Sequence, residues 1–354
     1  MHNRKRQGRG GLEPSPPPKL TKATEISKNI PEPQLTVFKA SSPSRISSIM
    51  QITPSKPAAT LTNTPTTISQ GCNHFRTGLK NLNEFCNYVV ASQELQTAVN
   101  LGHLESHARL ALMYLSGYPH MPQNRTAAFK LAEIGSRFKN NCPHCLGVLA
   151  ICYTFGYGVR KNGSTALKHA LASCAKNSYV GQFAIATIYR DGNVVSTDLT
   201  KSFEFFGKAA AQNFPDAQYD IGLLFEGGHG VQKNAQQALT YYGLAAQQGN
   251  RLAQIKLAEC YQDGIIVDRK NILETVRLYG LSGDQGSVDA CYYLGLLYEY
   301  GAVGLRIDLQ LAVQWYTKAV SAGEFENKEL DDEDQNDWYR CSRARLRALK
   351  HNKK

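Results

Sequence analysis

The chain lacks an apolar run long enough to cross a membrane. Its longest largely apolar stretch, 145–159, is interrupted by Gly156 and Gly158 and is shorter than a membrane-spanning helix. The first ~30 residues also lack the continuous apolar core that a secretory signal needs. The sequence therefore predicts no transmembrane span and gives no sign of a secretory signal.

Acidic residues are scarce at the start of the chain. Residues 1–70 contain ten lysines and arginines but only three glutamates, a net charge of +7, and most of the fourteen prolines lie there as well. Such a segment cannot bury enough apolar area to offset its conformational entropy. Residues 1–72 are therefore predicted to form a disordered basic arm rich in Pro, Ser and Thr. Residues 71–320 have a net charge of only +4, and this charge is too small and too dispersed to form a surface that binds nucleic acid.

The nine cysteines do not recur at regular positions, so a ladder of disulfides is not predicted. Unpaired cysteines favour a reducing compartment, and the sequence predicts a cytoplasmic protein. Two other locations stay open. Arg4-Lys5-Arg6 is typical of a nuclear signal, and a basic, acid-poor start is typical of a mitochondrial presequence, although its prolines would interrupt the helix that such signals form.

A short pattern recurs six times at intervals of 39, 36, 36, 36 and 37 residues. We number each copy from its first residue, which is Ser106, Cys145, Gly181, Ala217, Ala253 or Ala290. Position five is leucine or isoleucine, position six is alanine or glycine, position nine is tyrosine or phenylalanine, and position twelve is always glycine. A fixed period of this length is typical of stacked supersecondary units.

The spacing of these positions predicts a helix that ends at the glycine. Positions five and nine lie one helical turn apart and share a face, so they present an aliphatic and an aromatic side chain to the core. The small residue at position six lets a second helix approach closely. Each copy then contains a second helix, most clearly at 238–248 and 312–322, so two antiparallel helices per period predict an α-solenoid.

Several short segments carry a resemblance to a known family. They are Gly156-Tyr157-Gly158-Val159, Gly228-His229-Gly230-Val231, Lys208-Ala209-Ala210-Ala211 and the stretch 245–250. They resemble Sel1-like repeats, which are relatives of tetratricopeptide repeats. The resemblance covers about 106–323 and implies an all-α, right-handed solenoid that acts as a non-enzymatic adaptor without a cofactor. Together with the long Ser/Thr-Pro segment, it is closest in style to fungal Sel1-repeat regulators of kinases or of chitin synthase.

The remaining boundaries follow from this array. Residues 73–105 are predicted to form an N-terminal capping helix or half-repeat, and 324–354 an acidic stretch followed by a basic capping helix at 338–350. In that last helix Trp338, Leu346 and Leu349 are expected to pack against the array. The exposed basic side chains of the helix leave contact with a membrane surface or an acidic partner open.

The related tetratricopeptide repeats bind peptides in a concave groove whose residues correspond here to positions four, seven and ten. The resemblance implies that one or more proteins bind there as a peptide or helix, and no nucleic acid is expected on the repeats. The inferred groove is apolar at first and becomes mixed in charge. Its candidate residues are Arg109, Arg190, Asp220, Glu226, Lys256, Glu259, Tyr293 and Glu299.

Two further features suggest regulation or chemistry. Four Ser/Thr-Pro steps predict phosphorylation at Ser15, Ser42, Thr53 and Thr64, and each phosphate would add roughly −1.5 to −2 charges. Cys142-Pro143-His144-Cys145 is identical to the redox tetrad of thiol-oxidising thioredoxin-like enzymes, so Cys142 and Cys145 form a candidate redox or metal-binding pair. No strand–helix–strand pattern flanks the tetrad, and we find no catalytic motif, so the sequence predicts a protein that is not an enzyme.

Overall fold

The computed structural model describes residues 65–83, 87–118, 121, 123–138, 142–264, 271–326 and 337–351. Across these residues the chain is all-α, with two isolated β-bridges. The helices are α1 (Pro65–Asn83), α2 (Tyr88–Asn100), α3 (Leu104–Ser116), α4 (Arg125–Arg137), α5 (Pro143–Phe155), α6 (Gly163–Cys174), α7 (Tyr179–Asp191), α8 (Leu199–Ala211), α9 (Pro215–Gly227), α10 (Ala235–Gln247), α11 (Arg251–Asp263), α12 (Ile272–Asp284), α13 (Val288–Tyr300), α14 (Leu309–Glu326) and α15 (Asp337–His351).

Each of the six copies is a pair of helices, from α3 with α4 to α13 with α14. The first helix of a copy packs against its own second helix, and that second helix packs against the next first helix. Helix α5 also contacts the first helices of the neighbouring copies, α3 and α7, directly. Their close approach depends on glycine, because a Cβ atom at Gly147 would lie 2.7 Å from the backbone of Gly181. The predicted array of helix pairs is therefore confirmed.

The core follows the repeat pattern. Position five is buried in all six copies, with relative exposures between 1% and 9%. The alanines at position six are fully buried as well. Position nine is half-buried in every copy, and its ring packs on the second helix, as Phe225 does on Tyr241 at a centroid distance of 5.8 Å. These three positions bury the apolar surface that holds the two helices of a copy together.

A hydrogen bond from the backbone joins the two helices of every copy. The residue that caps the second helix donates its N–H to the carbonyl of position nine, over 2.8–3.0 Å. In all six copies the same residue uses its side-chain oxygen to accept the N–H three residues later. The capping residues are Asn124, Asn162, Asp198, Asn234, Asn271 and Asp308. Asparagine and aspartate suit this site because their short side chains reach the first turn of the helix.

Glycine at position twelve ends the first helix in two ways. In copies two to five it adopts the left-handed helical conformation, as at Gly228 with φ 71° and ψ 35°. In copies one and six ψ is 146° and 175°, and a short bridge follows between Tyr118 and Met121 or between Ala302 and Leu305. Copies one and six therefore share one alternative turn.

Additional helices lie at both ends of the array. At the N-terminal end α1 and α2 form a pair, and α1 begins at Pro65, eight residues before the boundary predicted from the sequence. Proline suits the first helical position because its missing N–H would have no partner there. At the C-terminal end α15 packs on α13 and α14, where Trp338 lies against Tyr292 and Tyr293, and Leu346 is buried.

Candidate partner-binding surface

Positions four, seven and ten lie on one face of each first helix, because they are three residues apart, and we call these residues the first-helix surface. In its N-terminal half these positions are largely apolar, for example Leu112, Leu115 and Ile151. Position four lies deeper than expected, because Val148 and Ala184 are at most 2% exposed and Asp220 is 8% exposed. The expectation that Asp220 is open to a partner is therefore wrong, since neighbouring copies cover it.

Arg190 and Asp220 form an ion pair between copies three and four. Arg190 Nη1 lies 2.9 Å from Asp220 Oδ1, and its Nε donates to Asp191 over 2.9 Å. The guanidinium also lies over the Phe206 ring at 5.5 Å from the centroid. Burial raises the pKa of Asp220 to about 7, although the charge of Arg190 opposes the shift. This pair joins two copies and is not free for a ligand.

The same contact recurs one copy further on. Lys256 Nζ lies 3.8 Å from Glu226 and 3.4 Å from Glu259. The Glu226–Lys256 pair is equivalent to the Arg190–Asp220 pair. Each joins position ten of one copy to position four of the next. Both ion pairs could have been found in the sequence, because each consists of two opposite charges 30 residues apart. The predicted surface charges therefore meet each other across the copies.

Glu226 and Glu299 are further held by tyrosines of the second helices. The Tyr242 hydroxyl donates to Glu226 over 2.5 Å, and the Tyr316 hydroxyl donates to Glu299 over 2.7 Å. Copies four and six alone have glycine at position six, and a Cβ atom there would lie 2.5 Å from the tyrosine ring. Glycine, tyrosine and glutamate thus occur together in these two copies.

Helix α15 contributes a residue that the sequence analysis missed. Arg345 Nη1 lies 3.2 Å from Glu299, and its guanidinium lies 5.4 Å from the centroid of the Tyr300 ring. Glu299 is accordingly engaged by both α14 and α15. The basic side chains of Arg340, Arg343 and Arg347 on the same helix are exposed, as predicted.

Tyr293 and Arg109 occupy different surroundings. The Tyr293 ring stacks on Tyr279 at 5.6 Å and lies 4.9 Å from the ring of Trp338. Arg109 is remote from these residues in sequence and lies over the Tyr179 ring at 5.1 Å, with its Nε buried and without a hydrogen-bond partner. The eight predicted residues therefore form three charged groups and two aromatic contacts along the array.

The Cys142–Cys145 tetrad lies at the start of α5. Cys142 is the N-cap residue and Pro143 is the first helical residue, while the two cysteines are 3% and 0% exposed. A hydrogen bond from the Cys145 thiol lowers the pKa of Cys142 to about 7, and the same bond, together with burial, raises the pKa of Cys145. Both cysteines are free thiols.

The other members of the tetrad serve packing. His144 Nδ1 lies 2.8 Å from Ser178 Oγ, and burial lowers its pKa to about 4. Cys145 fills the space beside Gly135, where a Cβ atom would lie 2.4 Å from the sulfur. Among the residues that the structure describes, no three His, Cys, Asp or Glu side chains converge as metal ligands.

Two other sets of predictions concern segments outside these surfaces. Ser15, Ser42, Thr53 and Thr64 all lie outside the described residues, so their phosphorylation stays a prediction. In the part of the chain that is described, no helix is both long and apolar enough to span a membrane.

Comparison with known families accounts for the helix pairs. A family model described as Sel1 repeat matches residues 104–137, 146–178, 180–214, 215–250, 251–287 and 288–324. These six segments coincide with the six pairs from α3 with α4 to α13 with α14 and cover more than half of the chain. No curated protein matches the chain.

Several solved structures of similar proteins come from bacteria. A Sel1 repeat protein from Oxalobacter formigenes is 23% identical, over 72% of this chain and 99% of that chain, with a TM-score of 0.53. A protective antigen of uropathogenic Escherichia coli with an SLR fold is 21% identical, over 79% and 68% of the two chains, with a TM-score of 0.32. An immunity protein from Pseudomonas aeruginosa is 20% identical, over 62% and 81%, with a TM-score of 0.44. The likeness to the first shows the fold alone, and nothing in these comparisons supports the resemblance to fungal regulators.

Proposed function

Because the chain belongs to the Sel1 repeat family, we propose that it is a non-enzymatic scaffold that binds a protein partner on its first-helix surface. Sel1 repeat proteins often bind proteins. The observation that carries the proposal is the change of this surface along the array, from mostly apolar side chains in copies one and two to paired charges in copies three to six. A repeat array presents such a surface over many residues, which suits an extended or helical peptide.

The internal ion pairs determine how this proposal is tested. Reversing the charge of Asp220 would leave Arg190 without its partner and damage the joint between two copies, so it cannot report on binding alone. Leu223 and Leu296 at position seven are better sites, because both are half-buried on the first-helix surface and neither takes part in an ion pair. Leu244 on the second helix α10 is 42% exposed and provides a matched control.

We therefore expect Leu223→Arg and Leu296→Arg to abolish capture of bound proteins from an extract of the cells that express the chain. Leu244→Arg should capture the same proteins as the unchanged chain, as judged by quantitative mass spectrometry. Circular dichroism of all three variants would show whether the fold is retained. Equal capture by folded variants on both faces would overturn the proposal.

A second part of the proposal concerns control of binding. Phosphorylation of Ser15, Ser42, Thr53 and Thr64 would offset much of the +7 charge of residues 1–70. We expect replacement of the four residues by alanine to change the amount of captured partner, and replacement by aspartate to change it in the opposite direction. This part would be refuted if phosphopeptide mapping of the chain purified from its own cells found none of the four residues phosphorylated.

The low pKa of Cys142 supports one alternative function, a thiol-redox activity of Cys142 and Cys145. A thiol with a pKa of about 7 is about half thiolate at neutral pH, although its burial limits access. Alkylation rates measured between pH 5 and 9 for the chain and for Cys142→Ser test this function. The redox function would be refuted if the alkylation rate rose with pH as it does for a cysteine of ordinary pKa and if Cys142→Ser captured the same partners as the unchanged chain.

A further inference from the structure

Three cations lie at positions four, seven and ten of the first-helix surface, and two of them are paired within the chain. Arg190 binds Asp220 over 2.9 Å, and Lys256 Nζ lies 3.4 Å from Glu259. The third cation is Arg109 at position four of copy one. It forms no ion pair with any residue that the structure describes. The surface therefore carries one positive charge whose countercharge is missing.

The register of the repeat explains why Arg109 has no carboxylate. The ion pairs between copies join position four to the residue 30 positions earlier, as they join Asp220 to Arg190. The residue 30 positions before Arg109 is Leu79 of α1, which has no charge. The helix pair before copy one therefore does not supply the partner that the later copies supply.

An aromatic ring holds the guanidinium of Arg109 in place. The guanidinium lies over the ring of Tyr179, at the start of α7, at 5.1 Å from its centroid. Tyr179 is 8% exposed, and its ring lies between those of His144 at 4.4 Å and Phe214 at 5.0 Å. Its hydroxyl oxygen and the Nε atom of Arg109 are both buried, and neither makes a hydrogen bond to a described residue. A charged group with an unpaired buried donor favours a ligand that supplies a countercharge.

The two outer nitrogen atoms of Arg109 are accessible. Its side chain is half-buried, and no hydrogen bond joins Nη1 or Nη2 to a described residue. Of the three guanidinium nitrogens, only Nε is among the buried polar atoms without a partner, so both Nη atoms face solvent. Leu112 and Leu115, three and six residues further along α3, lie on the same face of the helix. The site therefore presents two charged donors beside apolar side chains.

The charges around Arg109 favour a ligand with a single negative charge. Burial and then the charge of Arg109 lower the pKa of His144 to about 4, so its ring is neutral at pH 7. The carboxylates of Glu105 and Asp216 lie nearby, and neither forms an ion pair with Arg109. These carboxylates would repel a phosphate group, which carries roughly −1.5 to −2 charges, more strongly than a carboxylate. A single cation in these surroundings therefore suits a carboxylate.

We propose that Arg109 binds a carboxylate of the protein partner, in a segment whose apolar residues pack on Leu112 and Leu115. A carboxylate fits because its two oxygens can each accept a hydrogen bond from the guanidinium. It comes from an acidic side chain or from the C-terminal end of the partner. Tyr179 is a positioning residue, because its ring orients the guanidinium before the ligand binds. This inference rests on the proposed function, since it assumes that a protein binds the first-helix surface.

Octapeptide pools test the inference on the full chain. Three pools are amidated at the C-terminus and carry glutamate, glutamine or phosphoserine at the fifth position, and a fourth carries glutamine and a free C-terminal carboxylate. The other positions are mixtures of leucine, valine, serine and asparagine. We expect fluorescence polarisation to show about tenfold tighter binding of the glutamate pool or of the free-carboxylate pool than of the amidated glutamine pool, as a charged hydrogen bond gives. The tighter of these two pools identifies the source of the carboxylate, and the phosphoserine pool should bind more weakly than it.

Variants of two arginines show whether the preference belongs to this site. Arg109→Gln should remove the preference for a carboxylate, and Arg109→Lys should keep part of it, because lysine retains the charge without the planar pair of donors. Arg125→Gln is a matched control that should keep the preference in full. Arg125 also lies over a tyrosine ring, at 4.5 Å from the centroid of Tyr157, but it belongs to the second helix α4.

Variants of Tyr179 test its positioning role. Tyr179→Phe keeps the ring and should keep the preference. Tyr179→Leu should reduce the preference and leave the affinity for the amidated glutamine pool unchanged, provided that circular dichroism shows a folded chain. Equal preference in the folded leucine variant and the unchanged chain would contradict the role of the ring.

Several results would overturn the carboxylate site itself. They are equal binding of the carboxylate pools and the amidated glutamine pool, tightest binding of the phosphoserine pool, an undiminished preference in folded Arg109→Gln, and a failure of all pools to bind. The capture experiment with Leu223→Arg and Leu296→Arg tests the proposed function separately, so the carboxylate site can fail while the binding surface stands.

The acidic stretch of the chain is the alternative source of the carboxylate. It includes Asp331, Asp332 and Asp334. A clear gain in affinity for the carboxylate pools on replacing these three residues by asparagine would assign Arg109 to this stretch and overturn the assignment to a partner. Unchanged affinity supports the partner.

Discussion

At the scale of single residues, glycine at position six makes room for a tyrosine of the second helix. In copy four the Tyr242 ring lies where the Cβ atom of an alanine at Gly222 would be 2.5 Å away, and its hydroxyl binds Glu226. In copy five position six is Ala258 and position ten is Gln262, whose buried Oε1 accepts no hydrogen bond from the residues that the structure describes. In copies four and six the glycine therefore accompanies a tyrosine whose hydroxyl holds the glutamate at position ten.

Replacing this glycine by alanine is expected to destabilise the chain. Gly222→Ala forces the Tyr242 ring to move and weakens its bond to Glu226, at a cost of about 2 kcal/mol in the free energy of unfolding. Gly243→Ala on α10 is a matched control, because a Cβ atom there would meet no heavy atom within 4 Å. That control should stabilise the helix by about 0.5–1 kcal/mol. Urea titration followed by circular dichroism measures both changes, and similar values for the two variants would contradict this account.

Burial of Asp220 should make stability depend on pH. Its folded pKa of about 7 is higher than the value of an exposed aspartate, so the folded state binds more protons than the unfolded state between about pH 4 and 7. The contribution of Asp220 to stability is therefore expected to fall as the pH rises through this range. Asp220→Asn should flatten this part of the profile of unfolding free energy against pH.

The exposed Asp284, which pairs with Lys318, provides the comparison for this measurement. Asp284→Asn should leave the slope between pH 4 and 7 close to that of the unchanged chain. If both variants keep the same slope, the pH dependence does not come from Asp220.

At the scale of helices, the capping residue joins the two helices of each copy. Asn234 donates its N–H to the carbonyl of Phe225 over 2.9 Å and accepts the N–H of Gln237 over 3.0 Å. Only the second of these bonds depends on its side chain. The side chain therefore contributes to the start of α10, whereas the joint between the helices is made by the backbone.

Asn234→Ala should lower the free energy of unfolding by about 1 kcal/mol, because the N–H of Gln237 loses its acceptor. Asn234→Asp should retain most of the stability, since aspartate can accept the same hydrogen bond and occupies this site in copy three. Chemical denaturation of the two variants side by side checks the prediction. An equal loss in both would mean that the backbone bond to Phe225, and not the side chain, is affected.

At the scale of the whole molecule, each copy packs mainly against its neighbours in sequence. The stability of such an array is close to a sum of single-copy and neighbour contributions. A change at one end should therefore loosen that end and leave distant copies unaffected. Leu346 on α15 is suited to this test because it is 9% exposed and packs against the C-terminal copy.

Leu346→Ala is expected to cost about 2–3 kcal/mol, by removing buried methyl groups from the contact of α15 with α13 and α14. Amide hydrogen exchange should become faster in α13, α14 and α15, and remain unchanged in α3 to α6. Arg347→Ala, an exposed position on the same helix, should change neither region. Faster exchange along the whole array would show that the copies unfold as one cooperative unit.

Much of this architecture could be predicted from particular positions of the repeat. Leu110 and its equivalents are buried, and Gly228 and its equivalents end the first helix, because both effects depend on residues within one or two helical turns. The helix pair α1 and α2 was harder to predict, since Pro65 lies inside a segment of low apolar content. The capping bonds to position nine could have been found from the asparagine or aspartate that recurs before each second helix.

The candidate site was predicted less completely, because its residues act between copies. Arg190 and Asp220 are 30 residues apart, so neither their contact nor the burial of Asp220 follows from local spacing. Arg345 belongs to α15, outside the repeats, and no periodic signal links it to Glu299. These contacts depend on how successive copies stack.

The amino-acid sequence by itself determined the number of copies, their two helices and the residues that face the core, because a period of about 36 residues and the spacing of apolar side chains are local properties. Only the tertiary structure decided which charges remain available to a partner. Stacking places position ten of one copy against position four of the next, so Arg190 and Asp220 are paired within the chain, and Arg345 of α15 pairs with Glu299. The same stacking places Arg109 over the ring of Tyr179, without an ion pair to any residue that the structure describes.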